Sequence, residues 1–311
     1  MKKSKFALCL LSLIVVISMM LSGCNDQGGS DGGKKDDEKV YSNEVQVVLL
    51  LGQSNAEGHT HAEYLTKTVG ADKAKEYQKG YDNVKISYNC TLGANTNNGV
   101  FSRVKIGQGT NVSRFGPEVG IAEKISVLDP IKPVYIIKFA YGGTTLTTNW
   151  RSPSSKNTGN LYQKGLEFIL EQLGKLERED LYPVVKAVCW MQGESDSTSN
   201  DYNSYKKLEE NFVKDLREAL AYYKDPSSEI GFIDAGISDS IAWTQYKVIN
   251  QAKRELALEG EGHVYLDTIE ANLRYNGEPA GAPDIYHYDS ASMIKLGNMF
   301  ADSLIENFLE V

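Results

Sequence analysis

Positive charge, histidine and cysteine are all scarce in this chain. It carries 33 Lys and Arg against 41 Asp and Glu, with only four His and four Cys among 311 residues. The acidic balance excludes a nucleic-acid binder, which needs a basic footprint. It also excludes capture of anionic polymers through bulk charge. The cysteines, at positions 9, 24, 90 and 189, form none of the close pairs that a zinc site requires. Cys9 and Cys24 belong to the N-terminal segment, so Cys90 and Cys189 alone are left to the body of the chain. Cys189 lies inside an apolar run and reads as a buried thiol, and a disulfide between the two stays open. Internal repeats and a second low-complexity linker are missing as well, so the body reads as one domain. Its composition, 41% hydrophobic and 24% charged, is ordinary for a globular protein.

The N-terminus has a layout of its own. Met1-Lys2-Lys3-Ser4-Lys5 is basic, Phe6 to Met20 is almost wholly apolar, and Leu21-Ser22-Gly23-Cys24 follows. That is the three-part plan of a secretory signal, and the apolar run is short for a membrane span. Its end resembles a bacterial lipobox, which implies removal of residues 1–23 and lipidation of Cys24. Residues 24–43 hold Gly, Asp, Lys and Ser with few apolar side chains, and such a stretch reads as a flexible tether. Residues 44–311 form the expected domain. Losing Lys2, Lys3 and Lys5 leaves 30 basic against 41 acidic residues, a net charge of −11. The expectation is an exported lipoprotein, membrane-anchored on the extracytoplasmic side.

Apolar, β-type runs punctuate the domain at Val45–Leu51, Val84–Tyr88, Val134–Phe139, Val184–Trp190, Ile230–Ile237 and His263–Leu266. Helical spacing appears between them, as in Leu208, Phe212, Val213, Leu216 and Leu220. The last segment repeats it with Met293, Leu296, Phe300, Leu304 and Phe308, and Asp289, Ser290 and Ser292 stand ready to cap that stripe. Strands alternating with helices predict an α/β fold with a mostly parallel sheet, and near-continuous apolar strands fit a sheet covered on both faces.

Three polar clusters each follow a strand at once: Gly52-Gln53-Ser54-Asn55, Tyr141-Gly142-Gly143-Thr144 and Met191-Gln192-Gly193-Glu194-Ser195-Asp196. In a parallel sheet these ends share one edge, where ligands gather. Ser54 is placed in the loop after the first strand as a candidate nucleophile. Acyl transfer by serine needs a base, an acid to orient it and donors for the oxyanion. His287 supplies a base, and Asp284, three residues earlier, an acid. Gly142-Gly143 lets backbone approach a substrate closely and present a bare N–H. Gln192 offers an amide donor. His59-Thr60-His61 reads as a solvated loop. Glu194 and Asp196, as a carboxylate pair for glycosidic cleavage, rank behind a nucleophile set that already has all its members.

These four motifs in order, ending with Asp284-Ile285-Tyr286-His287, resemble the SGNH-hydrolase superfamily. Within it they resemble the branch of sialate O-acetylesterases and the acetylxylan esterases of carbohydrate esterase family six, and Arg114-Phe115-Gly116-Pro117-Glu118 is similar to that branch too. The resemblance implies a flavodoxin-like three-layer α/β/α sandwich. It implies Ser54 as nucleophile with Asp284 and His287 completing a triad. Oxyanion donors would be the Ser54 N–H, the N–H of Gly142 or Gly143, and Gln192. Asn55 and Glu194 would support the loops. It implies no metal and no organic cofactor. An α/β-hydrolase fits less well, because its G-x-S-x-G elbow would need glycine where Ala56 stands, and its serine follows several strands rather than the first.

The expected activity is therefore removal of O-acetyl groups from carbohydrate, either polysaccharide or sialic acid. Trp150, Trp243, Tyr141, Tyr286 and Tyr288 are candidates to stack on sugar rings. The alternatives are an esterase for lipid or aryl esters and a non-catalytic carbohydrate-binding lipoprotein. The sugar and the oligomeric state stay open.

Overall fold

A computed structural model describes residues 43–128, 130–275 and 277–311. The signal, Cys24 and all of the tether but Asn43 lie outside the described residues.

Six parallel strands carry the fold: β1 (Glu44–Gly52), β2 (Tyr81–Cys90), β3 (Val134–Ala140), β4 (Tyr182–Met191), β5 (Gly231–Ala235) and β6 (His263–Leu266). They lie in the order β2-β3-β1-β4-β5-β6. With β2 set aside, the other five follow the 2-1-3-4-5 order of flavodoxin-like sheets. Strand β2 is an extra edge strand, and two short antiparallel pieces, Asn95–Thr96 and Ser102–Val104, pair with it. The sheet is therefore mixed at that edge, a feature the apolar runs did not announce because both pieces are too short to carry a period.

Six helices matter here: α1 (Ser54–Glu57), α2 (Glu118–Ser126), α3 (Asn160–Arg178), α4 (Tyr205–Ala219), α5 (Tyr246–Glu259) and α6 (Ser290–Asn307). Successive strand residues face opposite ways, and β3 sorts the layers by that rule. Phe139 meets Phe168 of α3 at 5.9 Å between ring centroids, while its neighbour Lys138 reaches Glu118 of α2 at 2.8 Å. On the α3 side, Trp190 of β4 stacks on Phe212 of α4 at 4.6 Å, and Lys253 of α5 pairs with Asp234 of β5. On the α2 side, Lys124 of α2 bridges Asp302 of α6 at 2.8 Å. The helical stripes are buried as their spacing predicts, apart from half-buried Phe308, and the Asp289 carboxylate caps α6 by accepting the Ser292 N–H at 2.9 Å.

Register brings three strand ends level. Gly52 stands opposite Ala140 on β3 and Met191 on β4. Gly52 has φ +142°, and a Cβ there would meet the Met191 carbonyl oxygen at 2.0 Å. Only glycine lets β1 end this close to β4. The chain then turns into α1, so Ser54 opens a single helical turn rather than the expected loop.

Cys90 and Cys189 are free and buried. They sit on β2 and β4 with two strands between them, about 14 Å apart at the usual strand spacing, beyond disulfide reach. Burial pushes the Cys90 thiol up to about 12 and raises that of Cys189 as well. Among the described residues, no helix is long and apolar enough to cross a membrane.

Candidate active site

The level strand ends open onto a cavity of about 390 Å³, within the range of small-ligand sites. Ser54, Gly142, Gly143 and His287 line it together with Glu57 and His59. Ser54 comes from the first turn after β1, the glycines follow β3, and His287 comes from the loop ahead of α6. Sequence-distant candidates for nucleophile, base and backbone donor thus share one hollow.

His287 Nδ1 lies 2.6 Å from Asp284 Oδ2, and the other oxygen, Oδ1, accepts the Tyr286 N–H at 2.8 Å. Burial pushes the Asp284 carboxyl up, but the bonds from His287 and Tyr286 outweigh it and hold the carboxyl below its usual value. A charged Asp284 keeps the proton on Nδ1 and leaves Nε2 able to take one.

The two glycines differ. The Gly142 N–H is already given to Glu57 Oε2 at 2.8 Å. Gly143 has φ +70° and open space where a side chain would stand. Its N–H and that of Ser54 take no partner among the described residues. Both residues line the cavity.

Gln192, expected as a third donor, is held elsewhere. It is fully buried, and its Nε2 donates to the Thr144 carbonyl at 3.1 Å, to Gln53 Oε1 at 3.2 Å and to Asp196. Its Oε1 accepts from the Tyr205 hydroxyl at 3.0 Å. Its amide thus ties together the loops that follow the three level strands. Gly142 is likewise removed as a donor by its bond to Glu57.

Buried polar side chains tie the loops together. Asn55 donates to Glu194 Oε1 at 2.8 Å and accepts the Tyr288 N–H at 3.2 Å, joining the serine turn to the histidine loop. Burial raises the Glu194 carboxyl, the Asn55 bond opposing it. Asp196 accepts from the N–H groups of Leu146 at 2.8 Å and Thr147 at 3.0 Å. Neither Glu194 nor Asp196 lines the cavity, and both carboxylates are taken up by bonds between the loops. Gln53 and Glu57 have no role in the sequence reading, and His59-Thr60-His61 is not the solvated loop it suggests. Thr60 is buried, Thr60–His61 pair with Arg114–Phe115 as short strands, and His59 lines the cavity beside Glu57. The one signal for Gln53, Glu57 and His59 was closeness to Ser54, which does not say which way a side chain turns.

Of the five aromatics, Trp243, Tyr141 and Tyr286 line the cavity. Trp243 and Tyr286 pack side by side at 5.5 Å between ring centroids with 58° between their planes, and Tyr286 is 49% exposed. Trp150 is 1% exposed and packs on Trp190, and Tyr288 is 2% exposed, so both belong to the interior. Among the described residues, no group of three or more His, Cys, Asp or Glu is set to hold a metal ion.

The sequence model of a family described as carbohydrate esterase, sialic acid-specific acetylesterase, matches residues 44–306. No curated protein matches the chain significantly by sequence. Among solved structures, a protein from Arabidopsis thaliana is similar with a TM-score of 0.57 at 20% identity, over 85% of this chain and 98% of its own. NanS gives a TM-score of 0.58 at 15% identity, over 86% of this chain and 98% of its own. A carbohydrate acetylesterase from Xanthomonas citri gives 0.52 at 14% identity, over 84% of this chain and 56% of its own. At these identities the likeness to solved structures is one of fold.

Proposed function

The chain belongs to the family of sialic acid-specific carbohydrate acetylesterases and is a carboxylic ester hydrolase, and from that premise we propose that it clears O-acetyl groups from carbohydrate through an acyl-enzyme on Ser54. The observation that carries the mechanism is the 2.6 Å bond between His287 Nδ1 and Asp284 in the cavity that Ser54 lines. Ser54 Oγ attacks the acetyl carbonyl carbon while His287 Nε2 takes the hydroxyl proton. The carbonyl oxygen becomes an oxyanion and is met by the N–H groups of Ser54 and Gly143, a pair of donors of the kind that stabilises such charge by several kcal/mol in a dry site. The C–O bond to the sugar breaks, and the sugar oxygen leaves with the proton from His287. Water then attacks the acetyl-serine, His287 takes its proton, and acetate departs as Ser54 regains it.

The Trp243–Tyr286 wall supports a sugar ring as the group beside the ester, since aromatic faces suit the C–H faces of sugars. Export and a lipid on Cys24 are the proposed setting, supported by the basic, apolar and small-residue order of positions 1–24. The tether of residues 24–43 would hold the domain off the membrane, within reach of extracellular carbohydrate.

The test is acetate release by the domain from residue 43 onward. Substrates are acetylated xylan, an O-acetylated sialoside and a short aryl acetate, with Ser54→Ala in parallel. Acetate from a sugar ester, lowered by on the order of 10⁴-fold in the variant, is the expected result. Undiminished activity in the variant refutes the nucleophile. Hydrolysis of the aryl acetate alone refutes the carbohydrate substrate. For the anchor, fatty-acid labelling of the full chain should vanish with Cys24→Ser, and persistent labelling refutes that site.

A further inference from the structure

A second histidine–carboxylate pair stands against the first. The His59 and His287 rings lie 4.2 Å apart between centroids with 14° between their planes. His59 Nε2 is 3.2 Å from Glu57 Oε2, just as His287 is paired with Asp284. Resting on the reading that Ser54 and His287 do the chemistry, we propose that Glu57 and His59 are positioning residues, which set the oxyanion turn and the face of the catalytic imidazole.

Glu57 follows Ser54 by three residues in α1, so its side chain shares a face with the serine. It is 1% exposed, and a carboxylate so buried is tolerated only when donors surround it. Three do: the Gly142 N–H at 2.8 Å, His59 Nε2 at 3.2 Å, and the Thr91 hydroxyl. Burial alone pushes this carboxyl up, yet the three bonds win and keep it below its usual value. By taking the Gly142 N–H, Glu57 fixes the Tyr141–Gly142 peptide plane, one peptide ahead of the one that carries the Gly143 N–H. The next N–H, that of Gly143, is left without a partner among the described residues.

His59 acts on the other half. Glu57 holds its ring at one edge, and Arg114 donates to its backbone carbonyl at 2.6 Å. A bond to Asp284 restrains the His287 ring within its plane, and the His59 face restrains its tilt. The parts converge on one point. A Cβ added to Gly142 would lie 3.0 Å from Glu57 Oε2, 3.0 Å from His59 Nε2 and 3.3 Å from Ser54 Cβ. Turn, second pair and nucleophile are packed as a unit.

The experiment measures kcat and KM for acetate release in Glu57→Gln, Glu57→Ala, His59→Ala and His59→Phe, with folding checked by circular dichroism. Glu57→Ala frees the Gly142 N–H and should lower kcat by about 10²-fold, the worth of one oxyanion donor, with KM within about threefold. Glu57→Gln can still accept that N–H and should stay within about tenfold of wild type. His59→Ala should lower kcat by about tenfold through a loosened imidazole, and the flat ring of His59→Phe should recover most of that loss. Glu57→Ala with unchanged kcat, or His59→Phe no better than His59→Ala, overturns the proposal. Should Glu57→Ala fail to fold, the two His59 variants decide by the same criterion. A wild type without activity, or an active Ser54→Ala, sinks the acyl-enzyme reading and this one with it. An active wild type, a dead Ser54→Ala and untouched Glu57 and His59 variants sink the positioning role alone.

Discussion

Replacing Asp284 by Asn should harm this enzyme more than deleting the side chain. The two carboxylate oxygens of Asp284 have different partners, the Tyr286 N–H at 2.8 Å on Oδ1 and His287 Nδ1 at 2.6 Å on Oδ2. Asparagine keeps one oxygen and turns the other into an NH2 group. A backbone N–H cannot accept a hydrogen bond, so the amide oxygen stays with Tyr286. The NH2 group then faces His287 and can only donate. Nδ1 must give up its proton to accept, and the proton moves to Nε2, the atom that should take one from Ser54. The same exchange in the serine-protease triad lowers kcat by about 10⁴-fold, which is about 5.4 kcal/mol of barrier. Asp284→Ala imposes no tautomer and should retain more activity than Asp284→Asn. The assay is kcat/KM for acetate release at neutral pH, with thermal unfolding to confirm that both variants fold. An Asn variant within tenfold of wild type, or an Ala variant below the Asn variant, refutes the tautomer argument.

Three other outcomes follow from the structure. Gln192→Ala strips donors from a buried network and should cost about 1–3 kcal/mol of stability; it should lower the Tm, with turnover in the folded fraction reduced less than the 10²–10³-fold expected for losing an oxyanion donor. Equal Tm and a collapsed turnover would return Gln192 to the oxyanion. Cys90 and Cys189, buried and with raised thiols, should resist a thiol reagent at pH 8 in the native protein and react on unfolding; rapid native labelling contradicts their burial. Glu57 is depressed in the folded state, so the unfolded chain binds its proton first on acidification. Its stabilisation is present above the ordinary Glu value of about 4.3 and fades as pH falls through the lower folded value. The Tm advantage of wild type over Glu57→Gln should therefore shrink in acid, and a gap independent of pH between 3 and 7 argues against a depressed Glu57.

Much of the architecture was legible because it is written in local patterns. The run Val45–Leu51 followed by glycine announces a buried strand and a turn, since β-branched and leucine side chains fill a sheet covered on both faces. The capped stripe after Asp289 announces α6. The family motifs direct attention to Ser54, Asp284 and His287 because these residue types at a strand edge have a chemical reason to be there. The edge strand β2 was visible as Val84–Tyr88, yet its place outside β3 was not, because strand order depends on which loops cross over the sheet.

The sequence by itself determined the alternation of elements, the placing of polar clusters after strands and the residue types that acyl transfer needs, for these rest on neighbours within a few positions. Tertiary structure decided which backbone donors remain free. Gly142 is spoken for by Glu57 across 85 residues, and Asn55 is joined to Glu194 across 139. It also turned Gln192 away from the cavity and brought His59 onto the face of His287. Such partnerships arise where strand ends come level in the sheet, and a buried polar group there takes whichever donor or acceptor the packing brings within 3 Å, a distance that no local spacing encodes.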